Sequence, residues 1–101
     1  MSFRVRDDAG VSTVFLSGEI DLESSPLARK VLLDTLARRQ ALVVDLAEVS
    51  YIDSSGIASL VEAYQKARSA NLGFTLTAVG PPVMRVLSLA RLDKVFPIRA
   101  A

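Results

Sequence analysis

Cysteine, histidine and tryptophan are all missing from this 101-residue sequence. Without thiols there is no disulfide and no thiolate metal site. Without imidazole, the commonest general base and the commonest metal ligand are lost together. An excess of charge of one sign is lacking too. Twelve basic residues stand against 11 acidic ones, a formal net of +1, which leaves no clustered basic surplus for nucleic acid. Nowhere do about 18 apolar residues run together, as a spanning helix requires, so no membrane insertion is expected. The N-terminus, MSFRVRDDAG, sets Arg4, Arg6, Asp7 and Asp8 where a secretory signal needs an apolar stretch. A cytoplasmic protein is the resulting expectation. The length suits one domain over residues 1–101 with a single core of modest size.

Apolar patterning is present, and its period changes along the chain. Phe3 and Val5, then Val11 to Leu16, read as two short strands joined by a turn at Asp-Asp-Ala-Gly, with Gly18 closing the second. In DLESSPLARKVLLDTLARRQ, Ser24 or Ser25 can cap a helix and Pro26 suits its first turn. Leu27, Val31, Leu32 and Leu36 give it an apolar stripe, and Arg38 and Arg39 fall in its last turn. ALVVDL reads as a strand buried on both faces. Ile57, Leu60, Val61, Tyr64 and Ala67 keep helical spacing behind Ser54 or Ser55, up to a stop at Gly73. FTLTAV alternates as a strand. GPPVMRVLSLARL predicts a third helix with Val83, Val86, Leu87 and Ala90 inward, and KVFPIR a last strand, on an edge because of Pro97. The order β-β-α-β-α-β-α-β predicts an α/β fold: a mixed, mostly parallel sheet of four to five strands covered by helices.

In such a fold, sites collect where strand carboxyl ends meet helix amino ends. Asp53-Ser54-Ser55-Gly56 lies at that kind of junction. A helix amino end offers unpaired N–H groups and a partial positive charge. Asp53 or Ser54 can cap it, which leaves the Ser55 hydroxyl free of backbone duty. A phosphate on that hydroxyl would meet a field that favours anions. Gly56, lacking a side chain, would allow another protein to come close. Asp, Ser and Gly at a helix start are equally ordinary cap chemistry, and composition alone favours that plainer reading.

The longer stretch LVVDLAEVSYIDSSGIASLVEAYQKA resembles the STAS domain superfamily, most closely the bacterial anti-sigma factor antagonists. There an apolar strand ends in Asp-Leu, and a short loop leads to Asp-Ser-Ser-Gly and an amphipathic helix. Asp45, Leu46, Asp53, Ser54, Ser55 and Gly56 fill those places. Gly18, Glu19, Ile20 and Asp21 are similar to the family's Gly-Glu-Leu-Asp strand end, and VGPPVMRVLSLARLDKVFPI to its third helix and last strand. The resemblance implies a phosphorylation-switched binding module and no enzyme. Such a module holds an anti-sigma factor that is also a serine kinase, and so releases a sigma factor for transcription. It also implies Ser55 as the phospho-acceptor, Asp21, Asp53, Ser54 and Gly56 as partner-binding motif residues, a serine phosphatase as a second partner, and no cofactor. Asp21 would help to receive the partner, or be a solvated carboxylate at a strand end. Many family members continue into a further helix, whereas this sequence stops at Ala101, which leaves oligomeric state open.

Two other jobs suit the same fold. One is an adaptor subunit of a bacterial phospholipid ABC transporter; the other is a component of a stressosome-type signalling complex. A hydrolase with Ser55 as nucleophile would need a base, usually histidine, and none is encoded; a lysine could serve, but nothing in the sequence places Lys30, Lys66 or Lys94 beside Ser55. Asp7 and Asp8 read as turn residues. Glu19 and Asp21 share a strand face but make no metal site without further oxygens. Arg38, Arg39, Arg91 and Lys94 read as solvated helix ends, Tyr51 as a residue at a surface rim, and Tyr64 as core.

Overall fold

The computed structural model describes residues 1–100. Five strands and three helices alternate as β1 (Ser2–Asp8), β2 (Val11–Ile20), α1 (Ser25–Ala37), β3 (Ala41–Ile52), α2 (Ser54–Ser69), β4 (Phe74–Thr77), α3 (Pro81–Leu89) and β5 (Ile98–Arg99). This is the order that the change of period predicts. β1 and β2 form an antiparallel hairpin, and every later neighbour in the sheet is parallel.

The strands lie in the sheet in chain order, β1-β2-β3-β4-β5. Each crossover therefore steps the same way across the sheet. Since crossovers are right-handed, all three helices fall on one face. Burial alternates accordingly. Val14, Leu16, Leu42, Val44, Leu46, Phe74 and Leu76 point under the helices and are buried, while Thr13, Phe15, Asp45 and Thr75 on the other face are half-buried. A sheet covered by helices is thus found on one face only, because the strand order never reverses. The core between sheet and helices takes Ala28, Leu32 and Leu36 from α1, Leu60, Ala63 and Ala67 from α2, and Val83 and Leu87 from α3. Tyr64 is half-buried, tilted against Phe74 and edge-on to Phe96, as expected of a core residue.

Several local readings are corrected. Asp7 and Asp8 belong to β1, and the turn is Ala9-Gly10, both with positive φ (52° and 86°) as a two-residue hairpin demands. Gly18 does not end β2. It sits inside the strand at φ +84°, beside a register shift between Gly18 and Glu19, and the strand runs on to Ile20. Ser24 flanks α1 but makes no side-chain cap to it. Arg38 lies just beyond α1 and pairs with Asp7 at 3.1 Å. α2 ends through left-handed Asn71 (φ 57°) rather than Gly73, with the Leu72 N–H returning to the Ala67 carbonyl. Ala90 is exposed, one residue past α3.

Candidate functional site

β2 and β3 finish side by side. The Asp53 N–H donates to the Ile20 carbonyl (3.1 Å), so the residues after each strand, Asp21 and Asp53, open two adjoining turns at one end of the sheet. Each turn feeds a helix. Asp53 is the N-cap of α2 with extended backbone, and its Oδ1 accepts the N–H groups of Ser55 (2.9 Å) and Gly56 (3.2 Å). Of the two capping candidates, Asp53 is the one used. Ser54 is exposed in the first position of the helix. Ser55 follows, half-buried, and its hydroxyl makes no hydrogen bond among the described residues. It is not sealed either: the one buried side-chain polar atom without a partner among the described residues is Oε1 of Gln40.

Losing the cap should be measurable. Asp53→Ala leaves the Ser55 and Gly56 N–H groups unpaired, so unfolding free energy is expected to drop by about 0.5–2 kcal/mol. Chemical denaturation reads this, and Asp53→Ser should recover most of the loss.

Gly56 is buried and faces inward. A Cβ built there would lie 2.5 Å from Ile52 Cγ1, 2.9 Å from Ile20 Cγ2 and 3.0 Å from the Ile20 carbonyl oxygen. The expectation that this glycine opens the surface to a second protein is therefore corrected. It lets the first turn of α2 settle onto the ends of β2 and β3, and thereby sets how Ser55 is presented.

Asp21 is half-buried and well bonded. Its Oδ1 accepts from the N–H groups of Glu23 and Ser24, each at 3.0 Å, and from the Ser24 hydroxyl at 3.1 Å. The Ser24 hydroxyl in turn takes the Asp21 N–H at 2.9 Å and lies 2.9 Å from the Glu19 carbonyl. The carboxylate thus shapes the turn into α1. The backbone hydrogen bond from Ser24, above its other contacts, holds the Asp21 carboxyl below its ordinary value. A carboxyl lowered on folding adds stability above its unfolded value near pH 4, and that contribution fades as pH falls through the folded value. Acid titration of stability should therefore be flatter below pH about 4 in Asp21→Asn than in the unaltered chain.

Ser59 and Glu62 are parts of the site that motif reading passes over. The Ser59 hydroxyl is buried within reach of the carbonyls of Ser25 (3.3 Å) and Ser55 (3.2 Å), and so ties the amino ends of α1 and α2 together. Glu62 receives Arg29 through two parallel hydrogen bonds of 2.7 Å, which repeat the tie one turn later. Spacing gives a signal for the first: Ser59 is four residues past Ser55, on the same helix face.

Around the two turns the surface is acidic and partly apolar. Glu19, Asp21, Glu23, Ser24 and Met1 line a shallow cavity of about 350 Å³. Tyr51 pairs in register with Glu19 and is 49% exposed, and Leu22 is 73% exposed. The rim expected at Tyr51 is therefore open. Among the described residues no group of three acidic side chains is arranged to hold a metal ion, and no helix is long and apolar enough to cross a membrane.

The arrangement can cap a helix, present a hydroxyl at its positive end, and offer a mixed acidic and apolar surface. Comparison with known proteins fits these features. The STAS domain family matches residues 2–101. An anti-sigma F factor antagonist from Paenibacillus polymyxa is 33% identical over 91 residues, which cover 88% of this chain and 78% of the relative. The crystal structure of an anti-sigma factor antagonist from Mycobacterium paratuberculosis superposes with a TM-score of 0.85 at 36% identity, over 96% of this chain and 83% of that one. The Bacillus cell fate determinant SpoIIAA, in its phosphorylated form, superposes at 0.78 over 99% of this chain and 91% of its own. At 16% identity that likeness is one of fold alone.

Proposed function

This chain belongs to the STAS domain family, and from that premise we propose that it acts as an anti-sigma factor antagonist. In this reading it is a cytoplasmic binding module with no catalysis of its own. It captures an anti-sigma factor and so leaves a sigma factor free for transcription. Ser55 is its phospho-acceptor: an anti-sigma factor with serine kinase activity adds the phosphate, and a serine phosphatase removes it. Asp21, Asp53 and Ser54 lie on the docking surface. Gly56 contributes by position, since it seats the first turn of α2.

One observation carries the proposal. At the amino end of α2 the capping is done by Asp53, and the Ser55 hydroxyl beside it is left unbonded and unsealed. A phosphate there adds about −1.5 to −2 charges near neutral pH. The helix end offsets part of that charge, so the fold persists. The partner does not gain the same compensation. A dianion added beside Asp53 changes the shape of the surface that a second molecule must desolvate, and deepens the negative charge that Glu19, Asp21 and Glu23 already give it.

Affinity capture from native cells, with the unaltered chain and Ser55→Asp as baits, tests the reading. The expected result is an anti-sigma factor of the serine kinase type on the first bait and its loss from the second. Capture of a permease or its ATPase would mark a transporter adaptor instead, and capture of a large signalling complex a stressosome-type component.

A further inference from the structure

The outer edge of the sheet is unguarded at β1. All seven of its residues are exposed. Among the described residues its only neighbour is β2, so one side of its backbone has no partner strand there. Hairpin geometry says which groups are left over. In a two-residue hairpin the closing pair, here Asp8 and Val11, exchanges both of its hydrogen bonds, and pairs then alternate. Asp8, Arg6, Arg4 and Ser2 therefore turn their backbone groups towards β2. The N–H and C=O groups of Phe3, Val5 and Asp7 point away from the sheet.

The side chains of the edge divide by face. Phe3 and Val5 lie on the helix side, opposite Leu16 and Val14, and remain 43% and 39% exposed. Arg4 and Arg6 lie on the uncovered face. Neither takes part in any ion pair among the described residues, where the acidic partners go to Arg29, Lys30 and Arg38. Both guanidinium groups instead rest over the ring of Phe15, at 4.2 and 5.5 Å from its centre. Beside them a shallow cavity of about 380 Å³ opens, lined in part by Arg4 and Phe15.

We propose that the free edge of β1 docks one extended segment of a partner protein, in which acidic and apolar residues alternate. In the one antiparallel register that overlaps all seven residues of β1, the strand's own charges argue against a second copy. Paired antiparallel about Val5, Arg4 would face Arg6 of the other copy twice. Paired about Arg4, that arginine would face itself; paired about Arg6 it would do so too, with two Arg4–Asp8 contacts in return but fewer residues of each strand overlapped. Like charges directly opposite one another destabilise a ladder. An incoming strand with carboxylates opposite Arg4 and Arg6, and apolar residues opposite Phe3 and Val5, answers every one of these groups. It also supplies backbone partners for Phe3, Val5 and Asp7. The inference uses none of the residues of the proposed switch.

Amide hydrogen exchange by NMR on the full chain tests it, with a capped seven-residue peptide alternating valine and glutamate as the probe. Saturating peptide is expected to slow exchange of the Phe3, Val5 and Asp7 amides by roughly tenfold or more, and to leave the already bonded Arg4 and Arg6 amides as they were. Replacing both arginines by glutamate should weaken that peptide by roughly tenfold or more and favour a valine–lysine peptide instead, a reversal that also reports a folded variant. Ser55→Asp should bind the probe unchanged. The proposal is overturned if the glutamate peptide protects nothing, or if the lysine peptide protects the unaltered chain equally. Protection that rises with protein concentration alone would also overturn it, by marking a second copy as the occupant.

Discussion

Gly56→Ala is expected to lower the free energy of unfolding by about 1–3 kcal/mol, the range for forcing atoms into a filled core. The added methyl would meet Ile52 Cγ1 at 2.5 Å, Ile20 Cγ2 at 2.9 Å and the Ile20 carbonyl oxygen at 3.0 Å. None of these is the far end of a flexible chain. Ile20 and Ile52 are 1% and 2% exposed, so their side chains have nowhere to go. The carbonyl oxygen is fixed because it accepts the Asp53 N–H. Helix propensity acts in the opposite direction, since alanine is favoured over glycine by up to about 1 kcal/mol within a helix. Any net loss therefore reports the steric conflict. Chemical denaturation of the two proteins measures it, and an alanine variant of equal stability would show that the junction gives way easily. Lifting the first turn off the strands also moves Ser55, so partner affinity is expected to fall along with stability.

Ser55→Asp should separate those two effects. Its carboxylate puts a negative charge in the first turn of α2, where the helix dipole favours it. The free energy of unfolding is thus expected to change by no more than about 0.5 kcal/mol. Affinity for the captured anti-sigma factor, read by titration calorimetry, is expected to fall by about 100-fold, equivalent to ~2.7 kcal/mol. Ser55→Ala should bind like the unaltered chain. If both variants lost affinity equally, the hydroxyl would be a contact and not a switch. If Ser55→Asp unfolded, the helix end would not be the tolerant anion site that its geometry suggests.

The period of the hydrophobic residues made the element order legible, because buried faces repeat at 2 in strands and near 3.6 in helices. It did not mark where elements stop. Gly18 looked like the end of a strand, yet a glycine at positive φ fits a register shift as well as a terminus, and only pairing with β3 through Ile20 and Ile52 distinguishes the two. Asn71 ends α2 in place of Gly73 because asparagine also tolerates the left-handed region. The alternation of FTLTAV runs on to Val79, yet β4 ends at Thr77, and it pairs with β5 only through Leu76 and Thr77.

Within the site, the sequence narrows the cap to Asp53 or Ser54 and leaves Ser55 as the spare hydroxyl; the hydrogen bonds to the Ser55 and Gly56 N–H groups make Asp53 the cap. The inward turn of Gly56 could not. A glycine signals that a side chain would not fit, but not on which side the obstacle lies; here it is Ile20 and Ile52, one of them 36 positions earlier in the sequence. Asp21 was equally ambiguous. Its hydrogen bonds to Glu23 and Ser24 form a local turn whose presence depends on the path of the chain into α1. The i, i+4 spacing places Ser59 on the Ser55 face of α2, but nothing in either helix marks that its hydroxyl reaches across to the Ser25 carbonyl.

Mass spectrometry of the protein isolated from its own cells, with each phosphate placed on a single residue, goes most directly to the central claim. A hydroxyl left free beside an occupied cap predicts phosphate on Ser55 and an unmodified Ser54 and Ser59. Phosphate on Ser54 in place of Ser55, or a Ser55 that stays unmodified while its anti-sigma factor and ATP are present, would contradict it.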